Sequence, residues 1–195
     1  MKMYLTVVSL SALLCSIFSY ADDIPETHEQ KIVEARTHAQ ALGGALKSRL
    51  QQAIANGGFE AGVNECYIAA GPIAKQLSQN GWQVGRTALK VRNPENQPDE
   101  WETMQLHKFA DALSKQQPMP IEASDWNEQK GEFRYMSAIV TQPLCTGCHG
   151  NNVAPDIEKV IKQRYPEDRA TGFEVGSLRG AFTLTYSEPD DNTSK

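Results

Sequence analysis

Residues 145–149 read Cys-Thr-Gly-Cys-His, and this run constrains the fold more than any other part of the chain because of where it falls. Two thiols three positions apart can add across the two vinyl groups of a haem, while the adjacent histidine reaches back to the iron as an axial ligand. A single covalent c-type haem on Cys145 and Cys148, with His149 on the metal, is the first expectation. The surrounding fold must then leave room for a flat macrocycle late in the chain, with the segment up to Lys195 still to follow.

The same spacing serves other chemistry. Half of a zinc site would need two more ligands in a similar arrangement, and the chain has neither a second Cys-x-x-Cys nor a His-x-x-x-His. A thioredoxin-like dithiol needs a strand feeding straight into the motif, whereas Gln142-Pro143-Leu144 first interrupts the strand-like run Phe133 to Val140.

Residues 1–21 read as a cleaved export signal: Lys2 is the positive start, Leu5 to Phe18 the apolar stretch and Ser19-Tyr20-Ala21 the small-x-small cleavage site. Cys15 lies inside this segment, and Leu13-Leu14 before it lacks the small residue of a lipoprotein site. No other apolar run is long enough to span a bilayer. The expected product is periplasmic, with residues 22–187 forming one domain and 188–195 a disordered tail. With 19 Lys and Arg against 24 Asp and Glu, a net charge of −5, it does not suit nucleic acid as a partner. Loss of the signal and attachment of haem leave Cys66 without a disulfide partner, and an odd cysteine in an oxidising compartment needs a reason.

Apolar residues at Ile32, Ala35, Ala39, Leu42, Leu46, Leu50 and Ala53 predict an amphipathic helix over Glu26 to Asn56, stopped by Gly57-Gly58. A second helical stretch runs from Phe59 to Asn80 and is expected to be interrupted at Gly71-Pro72. Trp82 to Val91 reads as a strand. Asp99 with Glu102 opens another helix in capping-box style, with the stripe Leu106, Phe109, Ala110 and Leu113, ended by Pro118 and Pro120. Glu132 to Val140 and Ala181 to Tyr186 alternate as strands, and a short helix over Asp156 to Arg164 starts at Pro155. The mixture predicts an α+β domain.

No methionine or histidine follows His149, so a sixth iron ligand from Cys, Met or His must lie upstream: Cys66, His28, His38, His107, Met104, Met119 or Met136. Cys66 has the best local setting, because its helical neighbours Gly62, Val63, Ala69 and Ala70 are mostly small and would let a macrocycle approach. A free cysteine is also a common small buried hydrophobe, and that reading stays open beside ligation. Arg86, Arg92, Arg134 and Arg179 are candidates for the haem propionates, with Arg86 and Arg92 preferred.

The chain resembles the PAS-like c-type haem domain family found in bacterial sensor histidine kinases and as free exported proteins. The resemblance runs from about Ala53 to Thr185. It rests on Cys66 with Pro72, on Gly85-Arg86-Thr87, on Arg92-Asn93-Pro94-x-Asn96-x-Pro98 with Trp101-Glu102, and on the haem motif. Tyr165-Pro166-x-Asp168-x-Ala170-x-Gly172 and Gly176-x-Leu178-Arg179-Gly180-Ala181 complete it. Ala88, where the family often has serine, and Ser177, where an acidic residue is usual, are departures that do not touch the ligands. The resemblance implies a PAS-like antiparallel sheet flanked by helices, His149 as proximal ligand and Cys66 as distal ligand. It also suggests the long N-terminal helix as a surface for homodimer contacts.

A thiolate ligand donates electron density and stabilises ferric iron, which lowers the reduction potential. The expected function is therefore a non-enzymatic haem module for redox or gas sensing, or low-potential electron transfer, with an unidentified redox partner and a diatomic gas as candidate ligand. Two alternatives are a haem enzyme such as a peroxidase, which needs an open distal position, and a four-helix c-prime cytochrome, which should contain almost no strand.

Overall fold

Thr27 begins the first helix with a capping box: its hydroxyl accepts from the Gln30 amide at 3.2 Å, and the Gln30 side chain accepts from the Thr27 amide at 2.7 Å. The computed structural model of the protein describes residues 27–127 and 129–188; the signal-like residues 1–21 and the tail from 189 onward lie outside them. Helix α1 is His28–Leu77, broken where Gly57 (φ −157°) and Gly58 (φ 70°) leave helical geometry. Arg49 Nε donates to Glu65 Oε1 at 2.6 Å across this break. On a straight helix those residues would lie about 24 Å apart, so the break reverses the chain and α1 is a helical hairpin. Gly62 lets the arms close, since a Cβ there would stand 3.0 Å from Ile54 and 3.1 Å from Leu50.

The sheet contains β1 (Trp82–Thr87), β2 (Glu122–Asn127), β3 (Glu132–Val140) and β4 (Leu178–Ser187), in the order β1-β4-β3-β2 and antiparallel throughout. Helices α2 (Glu100–Ser114), α3 (Thr146–His149) and α4 (Pro155–Arg164) fill the connections. Register fixes the faces. Trp82 and Val84 stand opposite Tyr186 and Leu184, and Phe133 and Tyr135 pair with the same two residues, so all six share one face. Ala35, Ala39 and Leu42 from the first arm of α1 cover it and form the larger core. On the reverse face Met136, Ala138 and Ala181 pack against Leu106, Phe109 and Ala112 of α2. The α+β expectation holds, and the four strands overturn the c-prime reading.

Three details differ from the pattern in the sequence. Pro72 does not interrupt the second arm, which stays helical to Leu77; the missing amide removes one ladder bond, which the neighbouring turns absorb. Strand β1 stops at Thr87 instead of Val91, where the Thr87 hydroxyl donates to Asn96 O at 3.1 Å as the chain turns. Strand β2 has no counterpart in the expectation, because its Glu122, Ser124 and Asp125 lack a strand-forming composition; it is one of the two edges of the sheet, where polar residues block further pairing. Among the described residues no helix is long and apolar enough to cross a membrane.

Candidate functional site

Period-two alternation carries Arg86 onto the same face of β1 as Trp82 and Val84, beyond the core those residues build. There the second arm of α1 stands away from the sheet, and a cavity of about 650 Å3 opens between them. That volume is typical of a site for a cofactor-sized ligand. Leu50, Ile54, Phe59, Val63, Ile139 and Leu144 supply apolar walls, and Cys66, Cys145, Cys148 and His149 all line the same space. Gly62, Val63 and Ala70 line it beside Cys66, as the small-residue face in the sequence predicts, while Ala69 does not. The sulfurs and imidazole do not converge on one point: among the described residues no group of three or more His, Cys, Asp or Glu could hold a bare metal ion.

His149 sits at the end of α3, and its Nδ1–H donates to Ala170 O at 2.7 Å. A carbonyl can only accept, so this bond fixes the tautomer and leaves the Nε2 lone pair for a ligand position. Burial, reinforced by Arg179 and Arg92, pushes the imidazole well below its ordinary pKa and keeps it neutral. Burial also raises the Cys66 thiol, with Arg86 and then Arg92 opposing that shift, and pushes the Cys148 thiol up to about 11.

Arg92 holds the motif in place. Its Nε and Nη2 grip the Asp168 carboxylate at 3.1 and 3.2 Å, and Nη2 also donates to Cys148 O at 2.7 Å and Ala170 O at 3.3 Å. Asp168 in turn accepts from the Ala170 amide at 2.9 Å. The backbone following α4 is strapped to the motif by Phe173 N to His149 O and Gly172 N to Gly150 O, both 3.0 Å. Phe59 presses on the motif from the other side, where a methyl at Gly147 would collide with its ring.

Of the seven sixth-ligand candidates only Cys66 lines the cavity. Met136 is buried under α2, His107, Met104 and Met119 are exposed, His28 bonds Ser124 and His38 packs on Trp82. Arg86, Arg92 and Arg179 line the cavity, but Arg134 does not: it donates to Asp99 at 2.6 Å and lies over Trp101. That pairing corrects its candidacy. The Arg92–Asp168–Ala170–His149 connection escaped the sequence reading; the Asp168-x-Ala170 spacing marked the residues, but a role carried by a main-chain carbonyl leaves no side-chain signature.

A long helical hairpin and a second helix on opposite faces of a four-stranded antiparallel sheet, with a Cys-x-x-Cys-His motif on the wall of a cavity, define a PAS-like domain built around a cofactor-sized pocket. The chain belongs to the Tll0287-like family, whose model matches residues 20–187. It is similar to the crystal structure of the cyanobacterial haem protein Tll0287, with 29% identity and a TM-score of 0.55 over 84% of this chain and 98% of that one. No curated protein sequence matches the chain.

Proposed function

We propose that the chain is an exported c-type monohaem protein whose iron is held by His149 and Cys66, acting in redox or gas sensing or in low-potential electron transfer. One observation carries this reading: Cys145, Cys148, His149 and Cys66 line a single cavity, with the histidine oriented so that Nε2 is free. The similar cyanobacterial protein is a haem protein, which supports the same cofactor here. Haem would supply one-electron chemistry and an iron that can take up a small diatomic ligand. The chain's own residues anchor the group through two thioethers, present a neutral imidazole, exclude water with Ile54, Phe59 and Val63, and offer a thiolate that favours the ferric state. The leader-like residues 1–21 suit periplasmic maturation. The first arm of α1 spends its apolar stripe on its own sheet, so homodimer contacts through it would use the other side, around exposed Val33.

Absorption and electron spin resonance spectra of exported, matured protein, with a pyridine haemochrome assay and a CO challenge, test the reading. Covalent haem, a low-spin ferric thiolate signature and a low potential are expected. Cys66→Ser should abolish the thiolate charge-transfer features and raise the potential; an unchanged spectrum would place the distal ligand elsewhere. A high-spin ferric form that binds cyanide or peroxide rapidly would favour the peroxidase alternative.

A further inference from the structure

Three arginines meet at one cavity, and only one has its counter-ion. Arg92 spends Nε and Nη2 on Asp168 and on two carbonyls of the motif. Arg86 makes no hydrogen bond or ion pair with any described residue, and Arg179 has only a 3.5 Å bond to Lys90 O and a stacking contact with Phe173 at 5.0 Å. Both are half-buried, and both line the cavity. Burial followed by repulsion from Arg92 and Arg86 brings the Arg179 pKa down to about 10. Glu95 and Glu167 also line the space but are exposed, and neither bonds either arginine. A guanidinium group partly withdrawn from water without an anion carries a desolvation cost that a ligand bringing negative charge offsets. Planar forks of this kind match carboxylates.

We propose that Arg86 and Arg179 form a two-point carboxylate clamp that receives the haem propionates, while Arg92 serves the motif backbone. This deepens the haem reading and rests on it. The clamp replaces the Arg86–Arg92 pair that the sequence favours, because Arg92 already has its acid. The clamp would hold the propionate edge of the macrocycle, the edge away from the thioethers to Cys145 and Cys148, toward β1 and the start of β4.

Redox-difference infrared spectra of matured holoprotein carrying carbon-13-labelled propionate carboxyls test the clamp directly. Absence of covalent haem from the wild type would refute the haem reading itself; every result below presupposes attached haem. The carboxylate bands are expected to shift in Arg86→Lys and in Arg179→Lys, and to stay in place in Arg92→Lys. The midpoint potential is expected to fall in Arg86→Gln and Arg179→Gln, because uncompensated propionate charge favours ferric iron. Should the glutamine variants fail to mature, the lysine variants decide alone. Bands unmoved in both lysine variants, or moved as far in Arg92→Lys, overturn the assignment.

Discussion

At the scale of single residues, the candidate site depends on one ion pair more than on any of its apolar walls. Arg92 and Asp168 keep only 11% and 6% of their side chains exposed, and Asp168 also holds the Ala170 amide whose carbonyl orients His149. Breaking a buried pair leaves a charge stranded, at a cost of about 3–5 kcal/mol. By contrast Lys115–Asp111, with 63% and 60% exposure, is solvated and worth at most about 0.5 kcal/mol. Asp168→Asn is therefore expected to lower the melting temperature by roughly 10 °C, and Asp111→Asn hardly at all, in parallel thermal melts. Equal shifts in the two variants would show that the Arg92 fork does not hold the motif. The sequence exposed this residue scale unevenly. Cys66 stands out by count and by its small helical neighbours, and the cavity does contain it; Asp168 does not stand out, because acting through Ala170 O requires knowing where the backbone goes.

Among the elements, the first arm of α1 is fastened to the sheet by chemistry as well as by packing. Arg36 donates both Nε and Nη2 to the Glu122 carboxylate on β2, and the Tyr135 hydroxyl of β3 donates to the same carboxylate at 2.7 Å. The hydrogen bond from Arg36 holds Glu122 below its ordinary 4.5, with Tyr135 adding to the effect against burial. A carboxylate depressed in the fold contributes stability that is complete above the unfolded value and is lost as pH falls through the folded one. Glu122→Gln should flatten the acid limb of stability against pH below about 4.5, measured by urea unfolding from pH 6 to 3. An acid limb as steep as that of the parent would mean that the carboxylate does not fasten the arm. The same strand shows why β2 escapes a pattern reading: Glu122 and Asp125 are placed by their partners and by the sheet edge, not by hydrophobic alternation. The helix boundaries at Gly57-Gly58, Asp99 and Pro155 were legible because caps and breakers act locally.

For the whole molecule the consequence is an uneven distribution of stability between two halves. The sheet, the first arm of α1 and α2 share two cores containing Leu42, Phe133, Leu106 and Met136, all fully buried. The last turns of the second arm, with Ile73, Ala74 and Leu77, still pack on the larger core, but its earlier part, α3 and α4 share only a small cluster around Val63, Ile157 and Ile161, bordered by a cavity of about 650 Å3 and by the guanidinium groups of Arg86 and Arg179. A ligand that fills the space and brings carboxylates stabilises this second half far more than the first. Without it, opening of residues 59–70 and 143–172 releases the half-buried arginines to water and sacrifices few apolar contacts. Hydrogen exchange on protein with Cys145 and Cys148 both changed to Ser, prepared without haem, should show amides in those two segments exchanging at least about tenfold faster than in the holoprotein, equivalent to about 1.4 kcal/mol of opening free energy. Protection in β3 and β4 should be nearly unchanged. Uniform loss of protection across all four strands would mean that the chain folds as one cooperative unit around its ligand, and equal protection with and without haem would mean that the cavity is already stable when empty.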